Sequence, residues 1–239
     1  MSQPTDSPLI LLSGSGDSHL CWLQQIAELP TDSTIAIDLP GHGDNIGAAE
    51  MPTTVAGYVA TVWNALDARG ITRVRVAGHS LGGAIALQMQ RDDPERIVAL
   101  GLIGTGARLR VQPELLAIVD RDQAAGLEQL LSVSYAGQLS DEAMRLTIAA
   151  MLPFAPGTLA RDLHACDTFD VMQELAHIHC PTLVIVGEYD RLTPVKYARY
   201  LATHIADARL QIIPNAGHYV MLEQPTLITA ALRDLQALG

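Results

Sequence analysis

The segment Gly78-His79-Ser80-Leu81-Gly82 sets a serine between two glycines, with an apolar run before it and a helical pattern after it. Where a strand turns abruptly into a helix, the apex residue is held in strained dihedrals and its side chain stands clear of the sheet. Gly78 and Gly82 carry no Cβ, so the strand and helix backbones can approach closely around Ser80. Ser80 is therefore a candidate nucleophile. The N–H of Leu81, at the helix N-terminus, would point where a negative oxygen develops. A glycine-rich turn that binds phosphate is the alternative, and the flanking strand and helix favour the nucleophile.

A serine hydroxyl is a weak nucleophile until a base takes its proton. His218, in Asn215-Ala216-Gly217-His218, follows the last strand candidate and precedes a C-terminal helix. The other seven histidines fit less well. His79 flanks the serine and is expected to point away from its exposed side. His42 lies in the early loop Gly41-His42-Gly43, His19, His164 and His204 fall in helical stretches, and His177 and His179 precede a strand. The base needs a carboxylate to hold its tautomer. Asp190, in Gly187-Glu188-Tyr189-Asp190, lies just past a candidate strand and 28 residues before His218. Glu188 competes with it, and an aspartate that merely caps the next helix is the plainer reading. The loop Gly104-Thr105-Gly106-Ala107-Arg108 offers no carboxylate.

These residues need elements to position them. Strand candidates are Leu9–Ser13, Thr34–Leu39, Arg73–Gly78, Val98–Ile103, Thr182–Gly187 and Leu210–Pro214. They are nearly continuous apolar runs, as expected of parallel strands covered on both faces. Between them Val55, Tyr58, Val59, Val62, Trp63 and Leu66 step by three and four, and Leu81–Gln90, Val195–Ile205 and Thr226–Leu238 also read as helices. From 108 to 172 only helical pattern is found, with a helix start at Ser140 and a first-turn proline at Pro156. The expected organisation is a core of 1–107 and 173–239 with a helical cap, 108–172, over the strands' C-terminal edge. Met144, Leu146, Ile148, Met151 and Leu152 line a cap helix, and phenylalanine occurs only at Phe154 and Phe169, both in the cap, so an aliphatic pocket is expected.

The 239 residues carry 15 basic and 26 acidic side chains, a net charge of −11, and no Lys or Arg precedes Arg69. A nucleic-acid or anionic-membrane partner would need a positive face, so the expected partner is a small, largely uncharged molecule. The first residues lack the basic region of a secretory signal, and the apolar runs are strand-sized, so a cytoplasmic protein is expected. Cys21, Cys166 and Cys180 read as reduced thiols. His177-Ile178-His179-Cys180 has the wrong alternation for three-point metal binding. Asp162, Asp167 and Asp170 read as hinge or capping groups. No phosphate-binding glycine pattern follows the first strand, so no cofactor and no metal are expected.

The order Ser80, Asp190, His218, each beyond a strand, resembles that of the α/β-hydrolase superfamily, as do several loops. Asp38-Leu39-Pro40-Gly41-His42-Gly43 is similar to the loop after its second parallel strand. Gly187 to Asp190 with Pro194 is similar to its acid loop, and Gly217-His218 with Glu223 and Pro225 to its histidine loop. The resemblance covers nearly the whole chain and favours Asp190 over Glu188. It implies a doubly wound, mostly parallel sheet of about six strands with an inserted cap, and a serine esterase acting through an acyl-enzyme. Where members usually carry His-Gly after the first parallel strand, this chain has Ser13-Gly14-Ser15-Gly16, making Ser15 the second expected oxyanion donor. With eight residues ahead of Leu9, the family's two leading antiparallel strands are not expected. A serine argues against epoxide hydrolases and haloalkane dehalogenases of this fold. Carbon–carbon bond hydrolase, lactonase or cofactor-free perhydrolase activity stays open, and so does a non-enzymatic ligand receptor. A monomer or simple homo-oligomer is expected.

Overall fold

A computed structural model, describing residues 7–138, 140–151 and 154–238, contains one sheet of six parallel strands. These are β1 (Leu9–Leu12), β2 (Thr34–Ile37), β3 (Val74–His79), β4 (Ile97–Ile103), β5 (Thr182–Gly187) and β6 (Ala208–Ile213). Their spatial order is β2-β1-β3-β4-β5-β6. Each expected strand is present, with ends moved by a residue or two. The start of β6 was the least legible, because Ala208 and Arg209, which pair with Thr182 and Leu183, lie on the half-solvated edge strand.

Alternate residues of the central strands enter two cores. Ile10, Leu12, Val76, Leu100 and Val184 face one, while Leu9, Leu11, Ala77, Ala99 and Ile185 face the other. Burial on both faces explains why these segments are apolar throughout. Each fully buried aliphatic side chain contributes roughly 1.5–3 kcal/mol. Helices α2 (Val55–Asp67), α3 (Leu81–Asp92) and α8 (Val195–His204) supply the first core. The six stripe residues of α2 are all buried, and Thr54 caps it by accepting the Gly57 N–H at 3.1 Å. Residues beside α1 (Leu23–Glu28), α9 (Val220–Glu223) and the face of α10 (Pro225–Gln236) supply the second.

Because β1 has β2 on one side and β3 on the other, chain direction across the sheet reverses between β1 and β3. The loops after these two strands, where Leu12 pairs with Gly78, therefore splay apart at the C-terminal edge and open a crevice. Between β4 and β5 come α4 (Pro113–Val119), α5 (Gln123–Ser132), α6 (Asp141–Met151) and α7 (Thr158–Thr168). The two ends of this segment meet. Arg108 bridges Asp170 in backbone and side chain, and the Val171 N–H reaches the Ala107 carbonyl at 2.8 Å. Ser140 starts α6 as expected, accepting the Ala143 N–H at 3.2 Å. Pro156 does not lie in the first turn of α7, because Gly157, at φ 75°, stands between it and the helix.

Candidate active site

Ser80 joins β3 to α3 with φ 52° and ψ −113°, one of two non-glycine residues with positive φ among those described. Such a conformation costs of order 1–3 kcal/mol and persists only where the surroundings fix it. Here the Ser80 N–H donates to the Ile103 carbonyl at 2.9 Å, and the Thr105 hydroxyl donates to the Ser80 carbonyl at 2.8 Å. A Cβ on Gly78 would fall on the Gly82 backbone, and one on Gly82 on the Leu12 carbonyl. The expected close approach is thus present at both glycines. Leu81 is the first residue of α3, so its N–H has no intrahelical acceptor.

His218 Nδ1 lies 2.8 Å from Asp190 Oδ2. Asp190 also accepts the Thr193 hydroxyl at 2.8 Å and the N–H groups of Leu192 and Thr193 at 2.9 and 2.8 Å. Burial pushes its pKa up, but the His218 charge and these donors outweigh burial and hold it below the usual value. Glu188, the competing acid, instead accepts the Asn215 N–H at 3.4 Å. His218 and Ser80 line one cavity, and among the described hydrogen bonds none joins their side chains directly. Such contacts commonly tighten only when substrate is bound.

Three further residues set His218: Thr193, which the sequence reading missed, Glu223, which it placed in the histidine loop without a role, and His79, which it turned away. Thr193 lies 3.3 Å from its Nδ1 as well as on Asp190. Glu223 accepts the Gly217 N–H at 2.7 Å and the Ala136 N–H at 2.8 Å, while the His218 N–H reaches the Ser134 carbonyl. His79 does not point away. It lines the same cavity, its ring centroid is 4.5 Å from that of His218, and its Nε2–H donates to the His218 carbonyl at 3.0 Å. Burial and the neighbouring imidazole press the His79 pKa well down, so the ring is neutral. The position beside the serine suggested the opposite direction, but the turn at Ser80 sets the side-chain directions there.

In the loop after β1, the Gly16 N–H donates to Asp162 Oδ2 at 2.9 Å. Asp162, on α7, is fully buried and also holds His42 Nε2 at 2.9 Å and the Tyr58 hydroxyl at 2.5 Å. Burial lowers the His42 pKa, but the Asp162 charge and bonds to the Leu39 and Pro40 backbone carry it above its ordinary value. Asp162 is thus a buried tie between elements, while Asp167 and Asp170 accept the Val111 N–H at 3.0 Å and pair with Arg108 where the ends of the inserted segment meet. Ser15 is buried, its hydroxyl 3.7 Å from Cys166 Sγ.

The cavity measures about 530 Å³, within the range of small-molecule sites. Leu109, Leu115, Leu130, Val133, Leu163 and Leu192 make an apolar wall, joined by Tyr197 and Tyr219. The wall comes from α4, α5 and α7 with their flanks, together with the loop after β5, α8 and the residue before α9, and not from the described residues of α6. Leu146 is 66% exposed, Phe154 and Phe169 are packed in the cores, and Met144 is partly buried. Leu152 and the side chains of Ile148 and Met151 lie outside the described residues. His19, Asp38 and Asp44 form an acidic cluster elsewhere, accounted for by hydrogen bonds from His19 and the Asp44 N–H to Asp38. No helix among the described residues is long and apolar enough to cross a membrane.

The pattern of the Alpha/beta hydrolase family matches residues 9–232. The chain is 30% identical to "Putative carbamate hydrolase RutD" of Pseudomonas savastanoi pv. phaseolicola, over 97% of this chain and 95% of that protein. Among solved structures it resembles a thermophilic esterase, with 34% identity, a TM-score of 0.80, and coverage of 97% and 90% of the two chains. It also resembles Est816, described as an N-acyl homoserine lactone degrading enzyme, with 26% identity, a TM-score of 0.79, and coverage of 95% and 92%.

Proposed function

Since the chain belongs to the alpha/beta hydrolase family and is a hydrolase, we propose that it cleaves a small carboxylic ester through an acyl-enzyme on Ser80. Ser80 Oγ attacks the carbonyl carbon while His218 Nε2 takes the hydroxyl proton. Asp190, its pKa held low, keeps the other imidazole N–H oriented and stabilises the imidazolium. The N–H groups of Leu81 and Ser15 receive the developing oxyanion. His218 then protonates the leaving alkoxide, and afterwards takes a proton from the water that releases the acid. Residues 108–172 act as a cap on the core of 1–107 and 173–239, and substrate enters the cavity beneath it.

The observation that carries this reading is the Asp190–His218 pair at 2.8 Å opening into the same cavity as the strained Ser80. The same machinery would act on lactone or carbamate carbonyls, which the names of two relatives bring into the test. A fluorophosphonate probe should label the parent protein rapidly and Ser80→Ala not at all. Turnover on a panel of esters, a lactone, a carbamate and a vinylogous diketone then ranks the substrates by kcat/KM. Absence of labelling, or a Ser80→Ala variant as active as its parent, would overturn the reading.

A further inference from the structure

Of the fifteen Lys and Arg side chains in the molecule, Arg110, Arg191 and Lys196 line the cavity that holds Ser80 and His218. Among the described residues, no Asp or Glu lines it with them. In a chain of net charge −11, this is a local reversal of sign. Three carboxylates close to it are already engaged. Asp190 is bound by His218, Thr193 and Leu192, Asp167 accepts the Val111 N–H, and Asp170 pairs with Arg108. Arg110 donates to the Asp167 backbone carbonyl, which holds its guanidinium beside the cavity, and its charge also acts on Asp170. Arg191 and Lys196 form no ion pair with a described residue.

Local physics does not explain the position of Lys196, the only lysine in the chain. It stands in the first turn of α8, where the helix dipole disfavours a cation, and no acidic residue shares that turn. Its ammonium lies 5.7 Å from the Tyr197 ring centroid, over another residue of the same wall. All three side chains line the cleft while remaining exposed to solvent, so an anion entering it would meet them. A cleft with low-dielectric walls strengthens their field on such a ligand.

We propose that the ester carries a carboxylate, as in the half-ester of an aliphatic dicarboxylic acid, and that Arg110, Arg191 and Lys196 hold it. The apolar wall takes the methylene chain between that carboxylate and the reacting carbonyl. The proposal rests on the serine-hydrolase reading and narrows it. It also replaces the expectation of a largely uncharged substrate, because the charge of the whole chain does not fix the charge around one cavity.

The test compares monoethyl succinate, glutarate and adipate with ethyl butanoate, pentanoate and hexanoate, in the parent and in the Arg110→Gln/Arg191→Gln/Lys196→Gln variant. The rate of fluorophosphonate labelling reports that the variant is folded and its serine reactive. For at least one length the kcat/KM ratio of anionic to neutral ester should exceed about 10 at low salt. The ratio should fall toward one in 0.5 M NaCl and in the variant, and single Arg191→Gln and Lys196→Gln changes should lower it part of the way. Free dicarboxylates should slow labelling of the parent and not of the variant. If neutral esters are cleaved through Ser80 with no advantage for the anion at any length, the carboxylate proposal fails and the hydrolase reading stands. Labelling without turnover, and without protection by dicarboxylates, overturns it equally. No labelling at all removes the hydrolase reading itself.

Discussion

Thr193 touches both members of the pair that the proposed chemistry depends on, lying 2.8 Å from Asp190 Oδ2 and 3.3 Å from His218 Nδ1. Replacing it with valine keeps the shape and removes one donor to a charged acceptor, a bond of roughly 1.5–3 kcal/mol. Asp190 should then titrate closer to the usual carboxylate value. Its lowered folded pKa contributes stability above the unfolded value, lost as pH falls through the folded one. Thr193→Val should therefore reduce that contribution, raise the acid limb of the kcat profile and lower kcat by about tenfold, checked by pH–rate measurements. His79→Ala should lower kcat with little change in KM, because it frees the His218 carbonyl without touching the wall; steady-state kinetics separates the two. Ser80, Asp190 and His218 were legible because strand ends and chain order are written in short patterns. His79 and Thr193 were not, since their contacts depend on how two loops are rotated in space.

Asp162 joins three elements through one buried carboxylate: the loop after β1, the loop after β2 and helix α2, all from its place on α7. Asp162→Ala would leave the Gly16 N–H and the Tyr58 hydroxyl unpaired and His42 without its counter-charge. Breaking such a buried pair costs about 3–5 kcal/mol. Denaturant unfolding should show that loss, and Asp162→Asn should recover part of it. Turnover should suffer in both variants, because the loop held by Asp162 carries Ser15. The core strands were readable from apolar runs covered on both sides. Which inserted helix would line the cavity was not, because a 3.6-residue period shows which face of a helix is apolar but not what that face meets. Leu146, apolar in sequence and exposed in the fold, is the clearest instance.

Across the whole molecule, the pH dependence of stability follows from two buried groups. Burial pushes the Asp17 pKa up from the usual carboxylate value of 3.8 to about 6. The folded state therefore binds this proton more tightly, and stability falls as pH rises through about 6. His42, raised above 6.5, acts in the same direction: its contribution is full below 6.5 and is lost as pH climbs through the folded value. Thermal melts should therefore show lower stability at pH 8 than near pH 5, and Asp17→Asn should remove most of the fall between about pH 4 and pH 6, recovering up to about 3 kcal/mol at pH 8. Below about pH 4 the trend reverses as Asp190 and Asp170, both held low, begin to take up protons. The same integration governs any attempt to simplify the protein. The backbone N–H of His218 ends on Ser134 and that of Gly16 on Asp162, both supplied from between β4 and β5. Pruning that stretch to a short linker would not leave a stripped-down, promiscuous enzyme; it would leave a sheet whose reactive loops have lost their moorings.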